Sequence, residues 1–412
     1  MKTFLVGGAV RDSLLNYPVK ERDWVVIGET PESMIEQGFT AVGKDFPVFL
    51  HPKTHEEYAL ARTERKTAPG YKGFIVHASA DVTLEQDLMR RDLTINAIAM
   101  DEQDNIFDPY HGKKDLDQRI FRHISPAFSE DPVRVLRIAR FTARYAHLGF
   151  TIADETLVLM KQMVDKGETD HLVAERVWAE LRKALTERTP AAFFYTLKDC
   201  NALNSIFPEI DCLFGVPQPE NYHPEIDTGI HSLLCLEQAT KLSDKAEVRL
   251  AALLHDLGKA KTDPSKWPSH HGHEQQGLAV LDQFCQRLRV PKSFKILAQQ
   301  VMHYHTHCHK VFQLKASTII DMLNSLAAFK SATSSIENFV IACEADARGR
   351  TGFENKPYPQ ATHLLKLAEI ASQIDTSEIL HGKLKGSQIG EAIRQLRIKA
   401  ISGLVKETRI NL

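Results

Sequence analysis

Five short apolar runs punctuate the first ~110 residues: FLVGG (4–8), DWVVIG (23–28), PVFLH (47–51), EYALA (57–61) and AIAMD (97–101). Their length, their Val, Ile and aromatic content and the polar breaks around them predict strands joined by helical pieces. From about Asp131 the period changes. DETLVLMKQMV (154–164), ERVWAELRKAL (175–185), VRLAALLHDLG (248–258) and KASTIIDMLNSL (315–326) repeat apolar positions at i, i+3 and i+4, the spacing of a helix face. Pro-containing polar stretches at 214–225, 261–273 and 352–360 mark breaks between helices. No internal repeat or low-complexity tract is visible. The pattern predicts an α+β chain, with an α/β head followed by a long all-α body.

The first run breaks on Gly7-Gly8 and restarts as a helix near Ala9, so backbone N–H groups and the helix's positive end face whatever sits there. Arg11 adds a charge-assisted donor in the first turn. In the next strand Glu21 and Asp23 are two apart, hence on one face at the strand's entrance, with Arg22 turned away. Two carboxylates that close repel unless a cation lies between them, and Mg²⁺, which takes oxygen ligands and substrate phosphates, suits the pair. A plain strand–turn–helix with a solvated charged loop would give the same letters. Further on, RRDLTINAIAMD sets Arg90, Arg91 and Asp92 before an apolar segment, with Asn96 one turn later, and DPYHG (108–112) is a tight polar turn. In SEDPVRVLRIARFTARY, Asp131 is expected to cap a helix whose first residue is Pro132. At ~100° per residue, Arg134, Arg137, Arg140 and Arg144 fall on one arc, opposite Val135, Leu136, Ile138 and Ala139. Taken alone, such a ridge predicts a solvated face.

Composition narrows this only slightly. The 412-residue chain is 43% hydrophobic and 25% charged, which permits two to four well-packed domains. A formal charge of -2 and a pI near 6.8 exclude a global polycation, so any nucleic-acid contact needs a local basic face. Six scattered cysteines without a C-x-x-C pair suit reduced thiols in a cytoplasm. The charged N-terminus does not read as a signal peptide, and no run approaches the ~20 apolar residues of a membrane span. A soluble cytoplasmic protein is expected.

In order, GGAVRD, the acid-x-acid pair, RRDLTINA, DP-x-x-G and EDP-x-R-x-x-R-x-x-R resemble the class II tRNA nucleotidyltransferases, the CCA-adding enzymes, and their sister bacterial poly(A) polymerases. The resemblance spans roughly residues 1–145. It implies a polymerase-β-like nucleotidyltransferase head followed by helical neck, body and tail that hold tRNA. On this mapping Glu21 and Asp23 carry catalytic Mg²⁺, and Gly8, Arg11 and Arg91 handle the triphosphate of ATP or CTP. Asp131, Arg134, Arg137 and Arg140 then surround the incoming base and its phosphates. Two departures stand out: the first acid is Glu21 where the family usually has Asp, and DPYHG replaces the commoner DP-x-GG. Glu57 in EEYALARTE is a candidate third carboxylate. Both C and A present an amine beside a ring acceptor, so Asp131 could accept from the amine while Arg134 donates to the ring.

AEVRLAALLHDLGKAKTD reads as a helix with Leu250, Leu253, Leu254 and Leu257 as its core stripe, closed by Gly258. His255 and Asp256 fall beside Ala251 and Ala252, where small side chains let another element approach. His231 upstream and Asp346 downstream complete an H…HD…D order that resembles the HD metal-dependent phosphohydrolases, with His273 and His305 as additional candidates. Imidazole and carboxylate donors together suit Ni²⁺, Mn²⁺ or Co²⁺. The alternating histidines 303, 305, 307 and 309 are not expected to form one cluster, because i and i+2 do not share a helix face. In the family, bacterial CCA-adding enzymes bearing this domain also act as 2′,3′-cyclic phosphodiesterase, 2′-nucleotidase and phosphatase.

The resulting expectation is a head at 1–140, a helical neck and body at 141–227, an HD domain at 228–330 and a helical tail at 331–412. The chain would add or repair the 3′-terminal CCA of tRNA from CTP and ATP, without a nucleic-acid template. The rival readings are a bacterial poly(A) polymerase, an HD phosphohydrolase with a nucleotide-binding head, and an RNA-binding scaffold. A poly(A) polymerase usually carries a longer, strongly basic C-terminal region, whereas this chain ends at LVKETRINL.

Overall fold

The computed structural model describes residues 1–19, 21–42, 48–66, 74–329, 334–380 and 384–410. The chain forms two compact units, one from Met1–Glu180 with Ala192–Ile206 and the other from Leu181–Ala191 with Phe207–Leu412.

The first unit is organised by a mixed seven-stranded sheet. Its strands are β1 (Lys2–Val6), β2 (Asp23–Ile27), β3 (Thr40–Ala41), β4 (Val48–Leu50), β5 (Glu57–Leu60), β8 (Ala99–Met100) and β9 (Ile106–Phe107), in the order β3-β4-β5-β2-β1-β8-β9. β6 (Thr63–Lys66) and β7 (Phe74–His77) pair separately as a hairpin. Each of the five runs expected as strands overlaps one, β1 starting two residues ahead of FLVGG; Pro47, the first residue of PVFLH, lies outside the described residues. The sheet is covered on both faces, because side chains alternate along each strand. Val6 and Val25 join one core with Leu88 and Ala97, Leu5 packs with Ala9 and Ile98, and Val26 packs with Met34 and Phe49. Register then sets the chemistry. Val6 pairs with Asp23 across the antiparallel β1–β2 ladder, and Asp23 pairs with Glu57 across the parallel β2–β5 ladder. The Gly7 turn, Asp23 and Glu57 thus come to one end of the sheet.

The DPYHG turn is as tight as its letters suggest. Asp108 accepts from the Gly112 and Lys113 N–H groups at 2.6 and 2.9 Å. A Cβ on Gly112 would lie 2.1 Å from the Thr94 carbonyl oxygen, so only glycine lets helix Gly112–Gln118 approach the RRDLTINA segment.

Helix Val133–Tyr145 corrects two expectations. It begins one residue later than foreseen, with Pro132 at the N-cap position, although Asp131 still accepts from the Val133 N–H at 3.0 Å. Its arginine arc is not a solvated face, since Arg140 is buried and Arg134, Arg137 and Arg144 are half-buried.

The second unit is helical throughout its described residues. Helix Ala246–Leu254 is buried at every position but the half-buried Glu247, as a central helix rich in Ala and Leu should be. Helices Thr228–Leu242 and Ser334–Arg348 pack against it through Cys235, Ala239, Ala252 and Ala345, small residues that allow close approach. The helix ends at Leu254, with His255 as C-cap and a 3₁₀ turn at Leu257–Lys261. Gly258 therefore does not close the helix as expected. Its role is close approach: a Cβ there would lie 1.9 Å from the His273 carbonyl oxygen and 2.6 Å from the Gly277 nitrogen. No helix among the described residues is long and apolar enough to cross a membrane.

Candidate active sites

At the end of the head sheet, Asp23 opens β2, and Glu21 precedes it outside the strand; both residues are exposed. The walls around Asp23 nevertheless desolvate its carboxyl. Together with the neighbouring Glu21 charge, this raises its pKa from the usual value, against the pull of the Arg91 guanidinium. The donor set is oxygen-only and mutually repelling, which fits a hard divalent cation. Glu57, also exposed, stands beside Asp23 in register.

Around this end the arginines are held, not free in solvent. Gly7, at φ +66°, lies where any Cβ would meet Arg91 Nη1 at 2.9 Å, so glycine permits both the turn and the close guanidinium. Arg91 Nη2 donates to Asp87 at 3.2 Å. Arg11, expected to point at an anion, is buried instead. It donates to Asp12 at 2.8 Å and Asn96 at 2.5 Å, and lies over the Phe141 and Tyr145 rings. Gly8 starts helix Gly8–Leu14, its missing Cβ 3.4 Å from Arg11 Nη2. Arg137 donates to Asp92 at 2.6 Å, Arg140 to Glu180 at 2.6 Å and Arg144 to Asp12 at 2.8 Å. Burial would raise the Asp92 carboxyl, but Arg137 and the Asn96 amide outweigh it and hold it far below the ordinary range. Arg134 donates to the backbone carbonyls of Ala127 and Arg90 at 3.2 and 2.5 Å. Asp131 receives both Nη groups of Arg176 at 3.2 and 3.0 Å. Sequence reasoning missed Asp12, Glu180 and Arg176. Asp12 sits inside GGAVRD, but nothing in the spacing pairs it with a helix 130 residues on.

In the helical unit, His231, His255, Asp256, His273, His305 and Asp346 are brought together and buried. His255 Nδ1 donates to the Ala252 carbonyl at 2.7 Å, His273 Nδ1 to His270 at 2.8 Å and His305 Nδ1 to Val301 at 3.1 Å. A carbonyl only accepts, so each Nδ1 carries hydrogen and each Nε2 is aimed inward. Those Nε2 atoms gather on the carboxylates: His255 at 3.0 Å and His273 at 3.2 Å from Asp256, His231 at 3.2 Å and His255 at 3.5 Å from Asp346. His255 Nε2 and His273 Nε2 are buried without a well-aligned hydrogen bond, and Asp256, against which they lie, has only the Lys259 ammonium at 2.6 Å as a fixed positive partner; buried nitrogens left in this way suit a metal cation. Ligand atoms of His231, Cys235, His255 and Asp346 lie within 4.8 Å of one another, as do those of His255, Asp256 and His305. This donor set can hold a metal.

The electrostatics agree. Burial would raise Asp256 and Asp346, yet His255, with Lys259 at one and His309 at the other, holds each well below the ordinary carboxylate range. Despite burial, Asp256 and Asp346 raise the proton affinity of His255, Asp256 that of His273 and Asp346 that of His309, while Cys235 first, then Asp346 and Glu225, raise that of His231; a field that draws protons draws a cation. His305, pushed down to about 3 by burial and by His255, stays neutral.

Of the alternating histidines, His305 faces the cluster, as expected. The next helical turn adds His309, which sequence reasoning passed over; its Nε2 is 2.6 Å from Asp346 Oδ2. The i, i+4 spacing was the available signal. Lys259, three residues after Asp256 and 2.6 Å from its Oδ2, was legible in the same way. Glu225, 2.9 Å from His231 Nδ1, was not.

Gly258→Ala should push the His273 backbone away from the Leu257–Lys261 turn. We expect a loss of about 1–3 kcal/mol in unfolding free energy, as for other overpacked sites, and a tenfold or greater drop in metal affinity by calorimetric titration. An unchanged affinity would show that His273 is not held in place through this contact.

A carboxylate pair at the end of a mixed sheet, with a second, histidine-rich centre on helices, is the arrangement of a nucleotidyltransferase joined to an HD domain. Family models agree: residues 3–122 match the poly A polymerase head domain, 149–213 a probable RNA and SrmB-binding site of polymerase A, and 228–375 the HD domain. Both domain types are metal-dependent. The multifunctional CCA protein of Methylococcus capsulatus is 59% identical over 404 residues, covering 98% of this chain and 95% of that protein. That of Teredinibacter turnerae is 58% identical over 401 residues, covering 97% of each. The chain belongs to the multifunctional CCA protein family. The fold is shared with a Thermotoga maritima CCA-adding enzyme solved with tRNA (TM-score 0.62, 19% identity, 100% of this chain and 91% of that one). It is also shared with a Bacillus stearothermophilus CCA-adding enzyme solved with CTP (TM-score 0.63, 21% identity, 97% and 88%).

Proposed function

We infer that the protein adds or repairs the 3′-terminal CCA of tRNA from CTP and ATP in the cytoplasm, without a nucleic-acid template, releasing pyrophosphate. The observation that carries this reading is the register that sets Asp23, with Glu21 just before it, beside the Gly7 turn and Arg91. Its division of labour follows the head at 1–140, neck and body at 141–227, HD domain at 228–330 and tail at 331–412, with Asp346 supplied from beyond residue 330. Purified protein given tRNA lacking CCA and each labelled nucleotide, singly and together, tests it: ordered incorporation of two C and one A is expected, and a run of A would favour a poly(A) polymerase.

In the reaction the tRNA 3′-hydroxyl attacks the α-phosphorus, a new P–O bond forms, the bond to the β-phosphate oxygen breaks, and pyrophosphate leaves. Glu21 and Asp23 would hold Mg²⁺, which when bound supplies the Lewis acidity for the attacking and leaving oxygens. Glu57, the register partner of Asp23, would join them. Gly8, Arg11 and Arg91 belong to the triphosphate side. Because Arg11 is turned into Asp12 and Asn96, we assign it to fixing the Gly7–Gly8 turn. Arg137 and Arg140, held by Asp92 and Glu180, would offer their remaining guanidinium donors to the nucleotide. Asp131, steadied by Arg176, would accept from the exocyclic amine of C or A, and Arg134 would donate to the ring acceptor.

Arg134→Ala should therefore relax base choice as well as slow addition, whereas Arg91→Ala should weaken all four nucleotides about equally. A four-nucleotide competition checks this, and identical profiles for the two variants would refute the base-reading role.

For the helical centre we propose metal-dependent hydrolysis of 2′,3′-cyclic phosphates, 2′-nucleotides and phosphomonoesters. His231, His255, Asp256 and Asp346 would be the principal ligands, with His273 and His305 beside them. The metal, Ni²⁺ with Mn²⁺ or Co²⁺ as substitutes, supplies Lewis acidity for phosphate and water. Lys259, ion-paired to Asp256, adds positive charge where the phosphate would sit.

A further inference from the structure

The cavity of about 610 Å³ that opens onto His255, Asp256, His273, His305 and Asp346 extends past them. Its wall includes Arg350, Phe353 and Lys356, from the loop after helix Ser334–Arg348. Phe353 is only half-buried, with the Arg350 guanidinium carbon 4.5 Å and the Lys356 ammonium 3.4 Å from its ring centre.

The loop is tied down from several sides. Arg348 Nε donates to the Lys356 carbonyl at 3.1 Å, Arg350 Nε to Ala347 at 3.0 Å and Arg350 Nη1 to Tyr222 at 3.5 Å. The Phe353 N–H donates to the Arg350 carbonyl at 2.9 Å. Glu225 Oε2 accepts from the Thr351 N–H at 3.2 Å, while its Oε1 lies 2.9 Å from His231 Nδ1. One carboxylate thus joins the loop carrying Phe353 to a histidine of the metal cluster. Hydrolysis of a bare phosphate calls for cations alone. An aromatic ring fixed among cations in the same cavity calls for a flat, apolar part of the substrate.

We propose that Phe353, with Arg350 and Lys356, forms a nucleobase- and phosphate-binding subsite of the HD cavity, whose ligand is a nucleoside carrying a 2′,3′-cyclic or 2′-phosphate. The inference rests on the phosphohydrolase reading of this centre. The base stacks on Phe353 and displaces the exposed Lys356 ammonium, because an exposed cation–π contact is weaker than stacking of a base on an aromatic ring. Arg350, fixed by the Ala347 and Tyr222 carbonyls, keeps donors for a phosphate. The ribose phosphate is then directed along the cavity toward Asp256 and Asp346.

Two substrates separate a free nucleotide from an RNA end: 2′,3′-cyclic AMP and a short RNA terminating in a 2′,3′-cyclic phosphate. Inorganic phosphate serves as an inhibitor that needs no base. With the full-length Ni²⁺ enzyme, Phe353→Ala should raise KM for both substrates tenfold or more. It should leave kcat within threefold and the inhibition constant of phosphate within twofold. Phe353→Tyr should restore KM to within threefold of wild type. An unchanged KM, or a phosphate constant that rises in step with it, overturns the subsite. A rise confined to the RNA overturns stacking of the terminal base. If the unaltered protein hydrolyses neither substrate, the phosphohydrolase reading falls first and this inference with it.

Discussion

Replacing Glu21 or Asp23 by alanine should lower addition of C and A to a truncated tRNA by about a thousandfold or more, the scale expected when a metal that stabilises a phosphoryl transition state loses a ligand. The register places Asp23 between Val6 and Glu57, and its carboxyl is already desolvated and pressed by Glu21, so in the proposed site neither acid could take over the other's share of a cation. Both residues are exposed and neither completes a core, so the fold should survive with an unchanged unfolding midpoint. Hydrolysis of 2′,3′-cyclic AMP should also survive, because its candidate ligands belong to the other compact unit. Single-turnover addition with labelled CTP and ATP reads the effect. Near-normal addition by either variant would remove the carboxylate pair from the chemistry.

The converse substitution should be as selective. His255→Ala or Asp256→Ala is expected to reduce hydrolysis of cyclic nucleotides by about a thousandfold or more while CCA addition stays within about twofold, since the lost groups are proposed metal ligands of the helical centre alone. Asp256 faces His255, His273, His305 and Lys259, so its removal strips the carboxylate that gathers their charge. Some loss of stability can accompany that change, and Asp256→Asn, which keeps the volume, separates metal loss from unfolding. Metal-stripped wild type should regain hydrolysis with Ni²⁺, Mn²⁺ or Co²⁺, and Mg²⁺ alone should support addition. Hydrolysis that persists in both variants, or disappears in Glu21→Ala, would mean that one centre performs both reactions.

Much of this was legible in the letters, because local spacing carries local chemistry. The turn at Gly7-Gly8, the acid pair at the entrance to β2, the polar turn at 108–112 and the change of period near Asp131 all depend on residues within a few positions of each other. A 3.6-residue period separates His305 from His303 and His307, whereas the two-residue period expected for the acids does not reach Glu21, which lies outside β2. The ordered head motifs and the H…HD…D series placed the chain in its family before any fold was available.

What the letters could not supply was partnership across distance. The arginine arc reads as a surface from Val133–Tyr145 alone, because amphipathicity reports polarity but not what faces it. It turns inward only because Asp12, Asp92 and Glu180, brought in by separate segments, pay the desolvation of its guanidinium groups with ion pairs. Arg11 was expected to face an anion and was drawn instead to Asn96, a residue 85 positions away. Gly258, read as a helix stop, owes its identity to the backbone of His273 pressing against it. Glu57 became Asp23's neighbour through parallel strand register, which no local period encodes. The sequence by itself determined which groups could do chemistry and on which local face they lie. Tertiary packing decided which of them meet, because a buried charge is stable only beside its partner, and the chain brings that partner from far along its length.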